Sequence, residues 1–188
     1  QKQMFIVMEF CKGGDLRTYI NQFKDNKYIE EKEIWKLLLE ISCALNECHS
    51  KKIIHRDIKP ENIFLDSEND FKLGDFGLAR EIKDDFAKSL VGTPYYLAPE
   101  VTKEENYNEK CDIWGLGCTV YEMATLHRPF ETENVFFDLL QKIQKLEIDR
   151  FDNRYSDKLF NLVKSMLSKD PKNRPNIKRV LDESLSYF

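Results

Sequence analysis

Apolar residues follow two rhythms along the chain, and the switch between them divides it. Met4-Phe-Ile-Val-Met8 is a short continuous apolar run of the kind a buried strand shows, and Gly13-Gly14 closes it with a turn signal. Asp15 stands where it can cap a short helix. From Glu30 the helical period takes over. Ile34, Leu37, Leu38, Ile41, Leu45 and Cys48 recur at spacings of three and four, with Glu31 and Glu33 in a first turn that favours negative charge. This predicts a long amphipathic helix ending near Lys51.

Ile53-Ile54 and a polar loop follow. The segments 62–65 and 71–73, separated by turn residues 66–70, then predict a β-hairpin. From about 75 to 99 neither period holds, and unpatterned stretches of that length in compact domains are usually functional. Beyond it, 109–124 is apolar nearly all round and predicts a central helix, with further helices at roughly 133–146, 156–167 and 176–185. The expected class is mainly α with small β-hairpins.

Composition narrows the partners. A chain of 188 residues, 41% hydrophobic, can bury a core as one compact unit. Its 29 basic and 33 acidic side chains are scattered and leave a formal charge of −4, so no basic stripe points to nucleic acid or a membrane surface. Protein and small-molecule partners are expected instead. Cys11, Cys43, Cys48, Cys111 and Cys118 form no CxxC pair, which fits buried thiols in a reducing compartment, the cytosol or nucleus. The apolar stretches are too short to span a bilayer. A strand-like run beginning at Met4, after an initial Gln, leads to the expectation that a segment is missing upstream.

The chemistry concentrates in three motifs: His55-Arg-Asp-Ile-Lys-Pro-Glu-Asn62, Asp75-Phe-Gly77 and Ala98-Pro-Glu100. In the expected hairpin, Asn62 opens the first strand and Asp75 lies just past the second, with strands ~5 Å apart. An amide oxygen and a carboxylate at one mouth suit Mg²⁺, a hard cation that takes phosphate oxygens as further ligands. Asp57, in the same loop, can orient a substrate hydroxyl and accept its proton, and Lys59 can offset charge on a transferred phosphoryl group. Taken alone, the same residues read as a strand cap, a turn aspartate and a solvated Asp-x-Lys pair.

In order and spacing, the three motifs match the signature set of protein kinases. The runs Met8-Glu-Phe-Cys-Lys-Gly-Gly-Asp-Leu16, Lys72-Leu-Gly-Asp-Phe-Gly-Leu-Ala-Arg80 and Phe86-Ala-Lys-Ser-Leu-Val-Gly-Thr-Pro-Tyr-Tyr96 most closely resemble the NIMA-related kinases. The resemblance covers the whole chain. It implies a partial protein kinase domain over 1–188, made of a hinge strand and the C-terminal lobe, with ATP and Mg²⁺ as cofactors and protein serine or threonine as substrate.

The resemblance also implies site roles. Asp57 would be the base, Lys59 a charge stabiliser, and Asn62 and Asp75 the metal ligands. His55 would pack beneath the Asp75-Phe-Gly77 segment. Arg56 would receive a phosphate on Ser89, and Thr93 would bond near Asp57 and Lys59. Glu100 and Arg174 would form a buried ion pair, Asp112 would accept from the loop backbone, and Tyr95 and Tyr96 would pack. Glu9 and Cys11 would meet adenine, with Met8 as gatekeeper and Phe64 as the floor beneath the base.

The seven glycines contain no GxGxxG, and no lysine and partner glutamate for the phosphates have room before Met4. Each missing electrostatic stabiliser costs ~10²–10³ in rate, so the chain alone is expected to be nearly inactive and to need an upstream lobe. The alternative is a pseudokinase-like binding module.

Overall fold

The computed structural model describes residues 5, 7–23, 27–81, 94–102, 107–132, 137–146 and 148–188. At its centre lies helix α4 (Lys110–Thr125; the helices are numbered in chain order), in which every residue from Cys111 to Ala124 is buried. A helix apolar on all sides satisfies itself only by being enclosed. The enclosure comes from α2 (Glu31–Ser50), α6 (Asp157–Met166) and the segment around Tyr95. Gly117 lets α6 come close, since a Cβ there would lie 3.0 Å from that of Met166.

Helix α2 turns Ile34, Trp35, Leu37, Leu38, Ile41 and Leu45 inward, against α4, the hairpin and α7 (Ile177–Leu185). Its N-cap, Glu30, makes no side-chain cap bond. The Glu31 carboxylate instead accepts from Trp35 Nε1 at 2.8 Å and from the backbone N–H of Ser156 at 2.7 Å, which ties the start of α2 to the start of α6. Helix α1 (Leu16–Asn21) begins at Asp15, whose carboxylate accepts from Thr18 N at 2.7 Å, as the sequence predicts for an aspartate in that place.

Two small antiparallel sheets complete the frame. One has the order β1 (Gly14–Asp15), β3 (Ile63–Leu65), β4 (Phe71–Leu73), with Ile63 opposite Leu73. The other pairs β2 (Ile53–Ile54) with β5 (Arg80–Glu81). The expected hairpin is present, and Asp66 shapes its turn by accepting from Glu68 N and Asp70 N. Gly13 is obligatory beside it: its N–H reaches Leu65 O at 2.9 Å, and a Cβ would fall 2.7 Å from that of Leu65. Two shorter helices, α3 (Pro99–Thr102) and α5 (Phe137–Lys145), complete the set, and residues 133–136 of the helix expected at 133–146 lie outside the described residues.

One expectation is overturned. Within 4–8, Met4 and Ile6 lie outside the described residues, while Phe5, Val7 and Met8 form no strand and are 81%, 96% and 77% exposed. No described strand runs beside these three residues, so among the described residues they have neither a ladder to join nor a core to enter. No described helix is long and apolar enough to cross a membrane.

A further close approach joins α4 to the 55–62 loop. A Cβ on Gly115 would lie 2.8 Å from Ile58 O and 3.0 Å from Ile58 Cβ. Gly115→Ala should therefore lower stability by ~1 kcal/mol, overpacking outweighing the gain in helix propensity, and a lowered urea midpoint at unchanged slope would register it.

Candidate active site

The site is built upward from Asp112 in the first turn of α4, a side chain only 1% exposed. Its Oδ2 accepts from His55 N at 3.0 Å and its Oδ1 from Arg56 N at 2.7 Å, while His49 Nε2 lies 2.8 Å from Oδ2. These bonds hold two successive amides of the loop that follows β2. They also hold Arg56 at φ +70°, a left-handed conformation that costs a non-glycine residue ~1–3 kcal/mol.

His55 carries the restraint onward. It is fully buried, its Nε2 lies 2.9 Å from Gly74 O, and its ring meets that of Phe76 edge-on at 4.9 Å. A carbonyl can only accept, so Nε2 bears the proton, which leaves Nδ1 to accept from Asp57 N at 3.4 Å. One imidazole thus joins the loop to the Asp75-Phe76-Gly77 segment.

Asp57, Lys59 and Asn62 converge. Lys59 Nζ and Asn62 Nδ2 each lie 2.8 Å from Asp57 Oδ2, and Asn62 Nδ2 also donates to Asp57 O at 2.8 Å. Asn62 sits in the 3-10 turn Pro60–Asn62 rather than in the strand, and Asn62 O accepts from Gly74 N at 2.9 Å across the hairpin mouth. Asp75 follows at φ +56°, its carboxylate accepting from Gly77 N at 3.2 Å. The hairpin therefore brings Asp75 to the mouth through the Gly74 backbone, and no bond links it to Asn62 among the described residues. Phe64 packs its ring on Gly74, where a Cβ would fall 2.7 Å away.

Farther out, Glu100 and Arg174 form a buried two-pronged ion pair, with both N–O distances 2.7 Å. Arg174 also donates to Ser168 O and Lys110 O and lies over the Trp114 ring. Tyr95 and Tyr96 are buried. Arg128 stacks on the Tyr95 ring at 4.6 Å, and Tyr96 Oη donates to Glu122 at 2.5 Å. Burial and the Glu122 charge push the Tyr96 phenol well up. Arg56 donates to Tyr107 Oη at 2.7 Å. Glu9 pairs with Lys72, and Cys11 is half-buried, its carbonyl accepting from Gly14 N. Ser89 and Thr93 lie outside the described residues.

The protein kinase domain model matches residues 1–186. The chain belongs to the protein kinase family. Within it, the chain is similar to NIMA-related serine/threonine kinases. It is 44% identical over 191 residues to the probable serine/threonine-protein kinase nek2 of Dictyostelium discoideum, which covers 99% of this chain and 46% of that protein. It is 44% identical over 190 residues to Nek2 of Mus musculus (97% and 43%), and 42% identical over 183 to Nek5 of Homo sapiens (95% and 25%). The chain spans less than half the length of these relatives.

Several residues of this site escape the motif reading. His49, at the end of α2, bonds Asp112 63 residues away, and Tyr107 lies 51 residues from Arg56, the loop residue it accepts from. Arg17, Glu61, Tyr96 and Glu122 form a polar cluster assembled from four separate elements. The available signal is a second acid, Glu122, in the apolar stretch of α4 after Asp112, since a buried carboxylate requires partners. Removing one member of the Glu100 and Arg174 pair leaves the other charged and buried. Glu100→Gln should cost about 3–5 kcal/mol, read as a lower denaturation midpoint, whereas Glu183→Gln, in the surface pair that Glu183 makes with Arg179 on α7, should stay within ~0.5 kcal/mol.

Proposed function

We propose that the protein carrying this chain is an ATP-dependent protein serine/threonine kinase, and that residues 1–188 are the hinge segment and C-terminal lobe of its kinase domain. The observation that carries this reading is the convergence of Lys59 and Asn62 on one carboxylate oxygen of Asp57, beside the Gly74-Asp75 turn. That arrangement fixes the carboxylate and leaves its Oδ1 outside those bonds, as the oxygen to accept a proton from a serine or threonine hydroxyl. Lys59 keeps a cation at 2.8 Å, where it offsets charge on a phosphoryl group in transfer.

The donor set fits magnesium. Asp57 takes the Asn62 amide nitrogen, so the amide oxygen is the end suited to a hard cation, and Asp75 would supply a carboxylate from the turn that follows the facing strand. When bound, the ion would neutralise and orient the phosphate oxygens. Thr93 would favour hydroxyl substrates on an alkyl side chain, and Glu9, Cys11 and Phe64 would border the adenine. Arg56, on the loop beside Asp57, would dock a phosphate on Ser89 through charge-assisted bonds. The reducing cytosol or nucleus is the compartment proposed for it.

The second reading is a pseudokinase-like module that holds a partner without transferring phosphate. It is favoured by the exposed apolar Phe5, Val7, Met8 and Phe10, a surface suited to a covering partner. The two readings separate in the full-length native protein given radiolabelled ATP, magnesium and a serine-containing protein substrate. Asp57→Asn should cut transfer by at least ~10²-fold with an unshifted melting curve, and comparable turnover by that variant rejects Asp57 as the base. Ser89→Ala should lower activity and abolish its further rise after autophosphorylation; full activity in that variant removes Ser89 from the mechanism.

A further inference from the structure

The start of α4 holds Arg56 at two points. Asp112 Oδ1 accepts from the backbone N–H of Arg56 at 2.7 Å, and Tyr107 Oη, a little earlier in the chain, accepts from Arg56 Nη1, also at 2.7 Å. Tyr107 is tied to the same helix start. Its neighbour Asn108 makes an Asx turn, accepting from Lys110 N on its side-chain oxygen at 3.0 Å, and the Asn108 carbonyl accepts from Cys111 N at 3.1 Å. The Tyr107 ring is half-buried against the core. The amide and the guanidinium of one residue are thereby both fixed to one helix.

Arg56 stands where a backbone rotation has the largest effect on the site. Its φ is +70°, a region that a non-glycine residue keeps only under restraint, and Asp57 follows it directly. The backbone angles of Arg56 set the direction in which the Asp57 carboxylate leaves the loop. Relaxation to the right-handed region would turn the peptide between them and carry that carboxylate away from Lys59 Nζ and Asn62 Nδ2, each 2.8 Å from Oδ2. The bond to Asp112 restrains one end of Arg56, and the bond to Tyr107 restrains the other.

We infer that Tyr107 is a positioning residue for phosphoryl transfer: acting through Arg56, its hydroxyl keeps the Asp57 carboxylate aimed at the acceptor. The hold is made by an unmodified phenol, so it serves the chain before any phosphate is added. Its effect on turnover rests on the kinase reading; the two-point hold on Arg56 does not.

The test uses the full-length native protein with ATP, magnesium and a serine-containing protein substrate. Tyr107→Phe keeps the ring and deletes one oxygen. It should lower kcat roughly 10-fold, the range for one hydrogen bond to a charged group, with KM for ATP and for substrate changed by less than about twofold. Arg56→Met should lower kcat at least as far, and Tyr107→Phe/Arg56→Met should be no slower than Arg56→Met, because the hydroxyl acts only through the guanidinium. Tyr155→Phe loses a buried phenol bond, 2.8 Å to Ile29 O, away from the site and should leave kcat near the wild-type value.

The inference is overturned if Tyr107→Phe keeps the wild-type kcat, if its loss falls on KM instead, or if the two losses multiply in the double variant. It is equally overturned if Tyr155→Phe loses as much activity, since the effect is then one of stability. Absence of phosphate transfer by the wild type itself counts against the kinase reading, and amide hydrogen exchange then decides the hold. The Arg56 N–H should exchange roughly 10-fold faster in Tyr107→Phe with the amides of α7 unchanged, and equal exchange refutes the inference.

Discussion

The Asp112 carboxylate, sealed under the first turn of α4, is the constraint on which the site depends. A buried carboxylate is tolerated only when hydrogen-bonded, and its donors here are the backbone of His55 and Arg56 and the ring of His49. The loop backbone satisfies the helix, and the helix in return holds Arg56 in a conformation it would not choose alone. From that anchor His55 reaches Gly74, and the hairpin mouth is fixed relative to the loop. Each later contact inherits its position from this one.

The same helix receives the other buried charges. Glu122, near its far end, meets Arg17 and Tyr96, and near its start Lys110 O takes a bond from Arg174, which holds Glu100. Such pairs are poor sources of net stability, because desolvation offsets most of their attraction. What they fix is geometry. The segment from Tyr95 to Glu100 is attached to α4 near both ends, through Tyr96 to Glu122 and through Glu100 and Arg174 to Lys110 O.

Much of this was legible in the sequence, for identifiable reasons. The 3.6-residue period placed α2, α6 and α7 within a residue or two, because their apolar stripes are wide and their capping residues, such as Ser156 and Asn176, are strong local signals. The hairpin was legible from its turn residues. The run 4–8 was misread because a continuous apolar segment indicates a strand only where a neighbouring strand exists, and that is a tertiary fact. β1 and α3 are too short to show any period. At the site, Asp57, Lys59 and Asn62 are close in sequence and follow from the motif, whereas Tyr107, Arg17 and Glu122 reach it from distant segments with no sequence spacing to announce them.

The coordination of Asp57 has a consequence for stereochemistry. With Oδ2 bound to both Lys59 and Asn62, the carboxylate cannot rotate to offer either oxygen interchangeably. Its basicity is therefore exercised along one direction in space. On the proposed reading, an alcohol approaching along that line would be deprotonated and aligned in one event, whereas a water molecule, free to tumble, would meet no second contact to hold it there. The discrimination between phosphorylating a side chain and merely hydrolysing a nucleotide would then reside in the immobility of a single oxygen atom.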